Sequence, residues 1–310
     1  MTESKKTKKA KTRIGNHWHE LVGNLHVWRR GSERAVHKPL LTLMLLSRAQ
    51  RGEANEVRFE EIYEPLREAL RNFGPPRKSY HPEFPFWHLQ TDGFWEIEEV
   101  DKLERKKGGS SPSRTELLKK TATGRVPEPL WAELKSHRHT IRDLAQNILD
   151  EFWPATYHED IAAALGLDLT LEQSIEKAKR DPRFRHLVLR AYERKCAICG
   201  YDARIGDTLA GVEAAHIKWK TVGGPDIVKN GIALCSIHHK MFDLGAVGLT
   251  PGLTIQVSQD LTGDKAVKEL VHRYHGKPLA GPQSSGQEPK RDFIHWHEKN
   301  VFRAPARETG

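Results

Sequence analysis

All three cysteines of the chain fall between positions 196 and 235, at spacings suited to metal ligation. Cys196-Ala-Ile-Cys199 is one thiolate pair, and Cys235-Ser-Ile-His238 repeats its spacing. Two such pairs brought together make the closed tetrahedral site that structural zinc prefers. Cys235 and His238 are three apart, so on a helix they share a face. The competing reading is a redox pair at Cys196 and Cys199 with Cys235 in the core; it leaves the second matched pair without a purpose.

A second set of residues is interleaved with the first. It runs Glu213-Ala-Ala-His216-Ile217, then Asn230-Gly-Ile-Ala-Leu-Cys235, then His239-Lys-Met-Phe242-Asp243. The adjacent His238 and His239 point about 100° apart on a helix and can serve two different metals. Phosphodiester hydrolysis needs a base to deprotonate water and a divalent cation to stabilise charge on the phosphate and leaving oxygen. A neutral imidazole at His216 suits the first task and His239 the second, while Asn230 can orient the base or its loop. Glu213 reads either as a group beside His216 or as a solvated strand residue. No Gly-rich phosphate loop of Walker type is present, which disfavours ATP-driven chemistry.

These residues need scaffolding, and 310 residues predict two domains with a helical piece between them. Apolar residues at 37% and charged residues at 29% predict folded cores rather than a disordered chain. No apolar run approaches the roughly 20 residues of a bilayer span. The basic start lacks an apolar signal core, so secretion is not expected. Three cysteines make no all-paired disulfide framework, which points to a reducing, cytoplasmic setting. A net charge of +9 favours a polyanionic partner.

Composition divides the chain into a basic arm at 1–13, a first unit at 14–120, a helical connector at 121–180 and a last unit at 181–310. The arm has six Lys/Arg against one Glu and reads as a solubilising tail or a DNA-backbone contact. Pro39 suits a helical first turn, and the run Leu40–Leu46 predicts a buried central helix ending near Gly52. A second, amphipathic helix is predicted over 59–73, stopping before Gly74-Pro75-Pro76. Residues 80–97 read as strand, Asp92-Gly93 turn, strand. Phe86 and Trp87 within them are expected either in the core or beside a binding surface. In the connector, Leu134, Ile141, Ala145, Ile148 and Phe152 recur at helical spacing. Asp181-Pro182 opens a helix with Phe184, Leu187, Val188 and Ala191 on one face.

The stretch Cys196–Gly245 resembles the HNH endonucleases. The resemblance implies an α+β protein whose last unit is a ββα-metal fold pinned by a zinc knuckle, with Cys196, Cys199, Cys235 and His238 as its ligands. It gives His216 the role of general base, places the family's asparagine on Asn230 and makes His239 a ligand of a catalytic Mg²⁺ or Mn²⁺. Ala215 stands where some members carry a metal-binding Asp, so the ion needs other oxygen ligands.

The first half is similar to the sulfur-binding domain of McrA-like, phosphorothioate-dependent restriction enzymes. The residues carrying this are His37-Lys38-Pro39-Leu40-Leu41, Phe84-Pro85-Phe86-Trp87-x-Leu89-Gln90-x-Asp92-Gly93-x-Trp95-Glu96 and Ser111-Pro112-Ser113-Arg114. The segment Trp296–Arg307 resembles the end of the same proteins. The similarity implies an apolar cup for sulfur walled by Phe84, Pro85 and His88, with Arg34, His37, Lys38 and Arg114 as cations beside it. The function implied is cleavage of phosphorothioated double-stranded DNA near the modification, by a homodimer, with no membrane partner. The alternatives are an HNH nuclease dependent on methylated cytosine and a non-catalytic zinc-dependent DNA-binding protein.

Overall fold

A computed structural model describes residues 18–30, 33–169, 182–206 and 208–308. They form two compact units that divide between Gln173 and Ser174. The arm at 1–13 and the segment 170–181, Asp181 included, lie outside the described residues.

The first unit is built around α1 (His37–Gln50), whose residues from Pro39 to Ser47 are all buried. A helix apolar on every side needs cover on every side. It receives this from α2 (Phe59–Phe73), α3 (Glu83–His88), α5 (Glu128–Ser136), α6 (Arg138–Phe152) and α7 (His158–Leu165). The helices expected to form a separate connector therefore complete the core of the first unit. Ile141, Leu144, Ala145 and Leu149 are fully buried there, and the Ser47 hydroxyl donates to the Leu165 carbonyl at 2.6 Å. Helix α2 spans the predicted range and ends at Gly74, even though Pro65 lies inside it.

Three short strands, β3 (Glu56–Arg58), β4 (Glu96–Ile97) and β5 (Thr123–Arg125), form an antiparallel sheet in the order β3-β5-β4. Two two-residue strands, β1 (Arg29–Arg30) and β2 (Glu33–Arg34), make a hairpin before α1. Helix α4 (Arg114–Lys119) is capped by Ser113, whose hydroxyl accepts from Glu116 N–H at 3.0 Å.

The strand expected before Asp92-Gly93 is instead helix α3 followed by a 3₁₀ turn, Leu89–Asp92. Pro82 and Pro85 fall at the helix start, where a missing N–H costs nothing. Gly93, at φ 82°, ends the turn in the left-handed region. Phe86 and Trp87 are core residues, at 0% and 7% exposure. The Trp95 indole donates to the Phe86 carbonyl at 2.8 Å and crosses Gly124, where an added Cβ would lie 2.0 Å from the ring. This locks α3 against the sheet and fixes where Phe84 and Pro85 point.

The second unit opens with α8 (Pro182–Ala191), followed by hairpin β6 (Arg204–Ile205) and β7 (Thr208–Leu209). Its centre is the antiparallel pair β8 (Val212–His216) and β9 (Gly231–Cys235), in register from Val212↔Cys235 to His216↔Gly231, then α9 (Ser236–Asp243). This is the expected ββα arrangement. Phe184 and Val188 of α8 pack so closely on Gly231 that an added Cβ would lie 2.4 Å from Val188 Cγ2. Leu187, expected on the same face, is 46% exposed. A second pair, β10 (Val247–Leu249) and β11 (Ile255–Val257), and α11 (Arg291–Asn300) complete the core, while short α10 (Lys265–Leu270) buries no residue.

Candidate active site and recognition cavity

Cys196, Cys199, Cys235 and His238 converge, their ligand atoms all within 4.8 Å of one another. Two elements supply them: the turn after α8, and the junction of β9 with α9. Cys235 Sγ lies 3.2 Å and Cys196 Sγ 3.5 Å from His238 Nδ1, and Cys199 Sγ lies 3.9 Å from Cys235 Sγ. These are close to the edges of a tetrahedron whose arms are the usual Zn–S and Zn–N lengths of about 2.3 and 2.0 Å. His238 Nε2 donates to the Leu270 carbonyl at 2.9 Å, which fixes the tautomer and leaves Nδ1 to ligate. The donor set and geometry fit zinc, and this Cys₃His cluster could bind it.

His216 ends β8, opposite Gly231. Its ring stacks on Phe184 at 4.0 Å, and its Nε2 stands 2.8 Å from Asp226 Oδ1. Lys220 holds the other oxygen of Asp226. Burial lowers the His216 pKa, while the Asp226 hydrogen bond opposes that. The imidazole is thus neutral at pH 7, donating Nε2–H to Asp226 and keeping a lone pair on Nδ1.

Asn230 is fully buried, and its amide bonds backbone groups of the loop rather than His216. Its Oδ1 accepts from Lys218 N–H at 2.9 Å, and its Nδ2 donates to the Lys218 and Pro225 carbonyls, each at 3.0 Å. It therefore staples the loop that carries Asp226.

His239 is 7% exposed and lies between two carboxylates. Nδ1 is 2.6 Å from Glu213 Oε2, and Nε2 is 3.3 Å from Asp243 Oδ2. Donation from Nδ1 to Glu213 leaves the Nε2 lone pair facing a carboxylate oxygen. That separation suits two ligands of one divalent cation. Among the described residues, the Cys₃His group is the one cluster of three or more such ligands, so His239 and Asp243 make only a partial site. Glu213 belongs to His239, not beside His216.

In the first unit a cavity of about 630 Å³ brings together Arg34, His37, Lys38, Phe84, Pro85 and His88. Their convergence follows from the end of β2, the start of α1 and helix α3 facing one opening. The Phe84 ring, 37% exposed, stacks on His81 at 5.0 Å. His81 is held between Ser79, at 2.9 Å, and the buried Glu83, at 3.1 Å. Lys38 Nζ donates to Thr91 Oγ1 at 3.0 Å and Asp92 Oδ2 at 2.5 Å, leaving one proton for a ligand.

Of the four expected cations, Arg34 lines the cavity but is held by partners, and His37 and Arg114 differ from expectation. Arg34 bonds Glu151 and lies 4.3 Å over the Phe152 ring, which anchors it to α6. Burial, with the charges of His81 and Arg77, lowers the His37 pKa to about 4, so His37 is neutral at pH 7. Arg114 does not line the cavity; it lies 4.2 Å over the Tyr63 ring.

The sequence family described as ScoMcrA-like, DNA sulfur-binding domain, matches residues 16–170, half of the chain. The chain belongs to this family. Residues 196–250 match the HNH endonuclease family, so a nuclease domain follows the sulfur-binding domain. Solved structures similar to the chain include the sulfur-binding domain of ScoMcrA complexed with phosphorothioated DNA, at 21% identity and TM-score 0.43, covering 47% of this chain and 97% of that one. The corresponding SprMcrA complex gives 20% identity and TM-score 0.42, covering 49% and 94%. The type IV phosphorothioation-dependent restriction endonuclease ScoMcrA gives 20% identity and TM-score 0.41 over 47% of this chain, and the match spans 32% of that larger protein. No curated protein sequence matches the chain.

Sequence reasoning missed several lining groups of this sulfur-binding domain. Trp28 is 56% exposed, and Arg77 and Tyr80 join it around the opening. Asp226, Phe184 and Asp243 were missed in the nuclease domain. Asp243 had a signal, since it follows His239 by one helical turn. Asp226 had none, because a loop brings it in. Among the described residues no helix is long and apolar enough to cross a membrane.

Proposed function

We propose that the chain is a type IV-like restriction endonuclease that recognises phosphorothioated double-stranded DNA and hydrolyses the backbone nearby. The observation that carries this is one chain holding both an apolar cup with a lysine at its rim and a neutral, oriented histidine in an HNH fold.

Sulfur is larger and a poorer hydrogen-bond acceptor than oxygen. The apolar wall of Phe84, Pro85 and His88 accepts it, whereas a phosphate oxygen there would lose its partners, at about 1–3 kcal/mol. Lys38 supplies the positive charge for the remaining non-bridging oxygen, and neutral His37 supplies a hydrogen bond.

At the second site His216 Nδ1 takes a proton from water as the oxygen–phosphorus bond forms and the bridging phosphorus–oxygen bond breaks. Asp226 stabilises the imidazolium that results, and Asn230 holds the loop. His239 Nε2 and Asp243 would hold a divalent ion, Mg²⁺ or Mn²⁺, which when bound supplies charge neutralisation at the phosphate and leaving oxygen. Zinc at the Cys₃His cluster staples the fold. One such site cuts one strand, so a double-strand break calls for a homodimer on DNA; a strictly monomeric species by light scattering, with and without duplex, would refute that.

The deciding experiment digests matched duplexes, unmodified, cytosine-methylated or phosphorothioated, with Mn²⁺ present. Cutting confined to the sulfur-bearing duplex is expected. A cavity of about 630 Å³ is also large enough for a flipped base, so preference for the methylated duplex would favour a base-reading nuclease instead. Binding without any scission would favour a non-catalytic DNA-binding protein.

A further inference from the structure

A cationic concavity of the second unit takes no part in the chemistry above. Its volume is about 490 Å³, and it is lined by His186 and Arg190 of α8, Glu193 and Arg194 just beyond the helix, Arg204 of β6, and Gln283. Helix α8 ends abruptly. Glu193 and Arg194 adopt φ values of 54° and 60°, and Arg194 N–H turns back to the Leu189 carbonyl at 2.7 Å. Two consecutive side-chain-bearing residues in the left-handed region are costly. The turn places Arg194 on the lining of the same hollow as Arg190.

The one acid there is already engaged, since Glu193 pairs with Lys195 at 3.8 Å. Among the described residues none of the three arginines has a carboxylate partner. Three exposed arginines around one hollow give it a positive potential that attracts anions. Guanidinium forks match phosphate oxygens in geometry as well as charge.

We propose that Arg190, Arg194 and Arg204 form a seat for a DNA backbone phosphate, a contact of the nuclease domain that is independent of sulfur. This rests on the reading of that domain as a DNA nuclease. The same helix supports both functions. Phe184 stacks on the base His216, and Arg190 follows six residues later, about 9 Å along the axis, the length of two to three base-pair steps. A phosphate fixed there sets the strand's position relative to His216, whichever nucleotide carries the sulfur. Such contacts position the protein without reading sequence.

The test measures binding of the full chain to unmodified and phosphorothioated duplexes by fluorescence anisotropy across a salt series. The variants are Arg190→Ala/Arg194→Ala/Arg204→Ala and the matching triple lysine substitution. The alanine variant is expected to bind unmodified duplex about 10-fold more weakly and to lower the slope of log K against log salt by one to two, the equivalent of one or two phosphates. Its ratio of sulfur-bearing to unmodified affinity stays at the wild-type value, and the lysine variant recovers much of the loss. Unchanged zinc content and melting temperature show that the fold is intact. An unchanged slope and affinity would overturn the seat. So would a loss that falls only on the sulfur-bearing duplex, or weaker binding of free inorganic phosphate with DNA binding unaffected. Failure of the sulfur reading is separate: it appears as a wild-type affinity ratio of one, with the slope difference still readable.

Discussion

Asp226 Oδ1 stands 2.8 Å from Nε2 of His216, so the loop after β8 orients the imidazole that β8 carries. Replacing Asp226 with Asn keeps the size but weakens tautomer control. Strand scission should fall about 10- to 100-fold with zinc content unchanged, by analogy with other second partners of catalytic histidines. Burial lowers the His216 pKa and Asp226 raises it, so removing the carboxylate should also move the acid limb of the pH–rate profile to lower pH. A limb that moves upward, or a rate equal to wild type, would refute this role.

Metal removal should separate the two units. Zinc-peptide binding energies of about 10–16 kcal/mol equal or exceed the stability of a typical domain. Chelation, or Cys235→Ser, should therefore unfold the nuclease domain and abolish cutting. Binding of phosphorothioated duplex by the sulfur-binding domain should persist. Elemental analysis should find one zinc per chain in the wild type.

Lys38 is held in structure by Asp92 and, on the proposed function, also serves recognition. Its partner Asp92 has a fully buried side chain that also accepts from His26 N–H at 2.6 Å. Lys38→Ala leaves that carboxylate without its cation, at about 3–5 kcal/mol. The double change Lys38→Met/Asp92→Asn should restore much of the melting temperature but none of the DNA affinity.

Phe84→Ser opens the cup wall to water while leaving the buried neighbours Phe86 and Trp87 in place. Discrimination between sulfur-bearing and unmodified duplex should shrink about 10-fold, near 1.4 kcal/mol, with cutting chemistry unaltered. Competitive binding with the two duplexes measures it.

His297 is buried in the nuclease core, donates to the Phe242 carbonyl at 2.9 Å and has its pKa lowered to about 4 by burial. Its unfolded value is near 6.5, so between pH 6.5 and 4 the unfolded state binds the extra proton. Stability is fully present above pH 6.5 and is lost as pH falls through that window, by roughly 3 kcal/mol. His297→Gln should flatten this part of the melting-temperature profile.

The chemistry of the nuclease domain was legible because its ligands lie close in sequence. Cys196 with Cys199, and Cys235 with His238, are fixed by a tight turn and by a helix start, and His216 faces Gly231 across one antiparallel pair. Local periodicity also determined α1 and α2. Tertiary structure alone decided which of the expected cations line the cavity and what holds them. Arg34 is held by Glu151 and Phe152, more than a hundred residues away, and Arg114 is drawn to Tyr63. It likewise turned the segment before Asp92-Gly93 into a helix, because Pro82 and Pro85 could enter a first helical turn and Trp95 could tie Phe86 down. It also folded the expected connector into the first unit, since α1 is apolar all round and only distant helices could cover it. Sequence spacing sets chemistry that is local; which charges remain available, and which surfaces are covered, depends on partners that only the folded chain brings near.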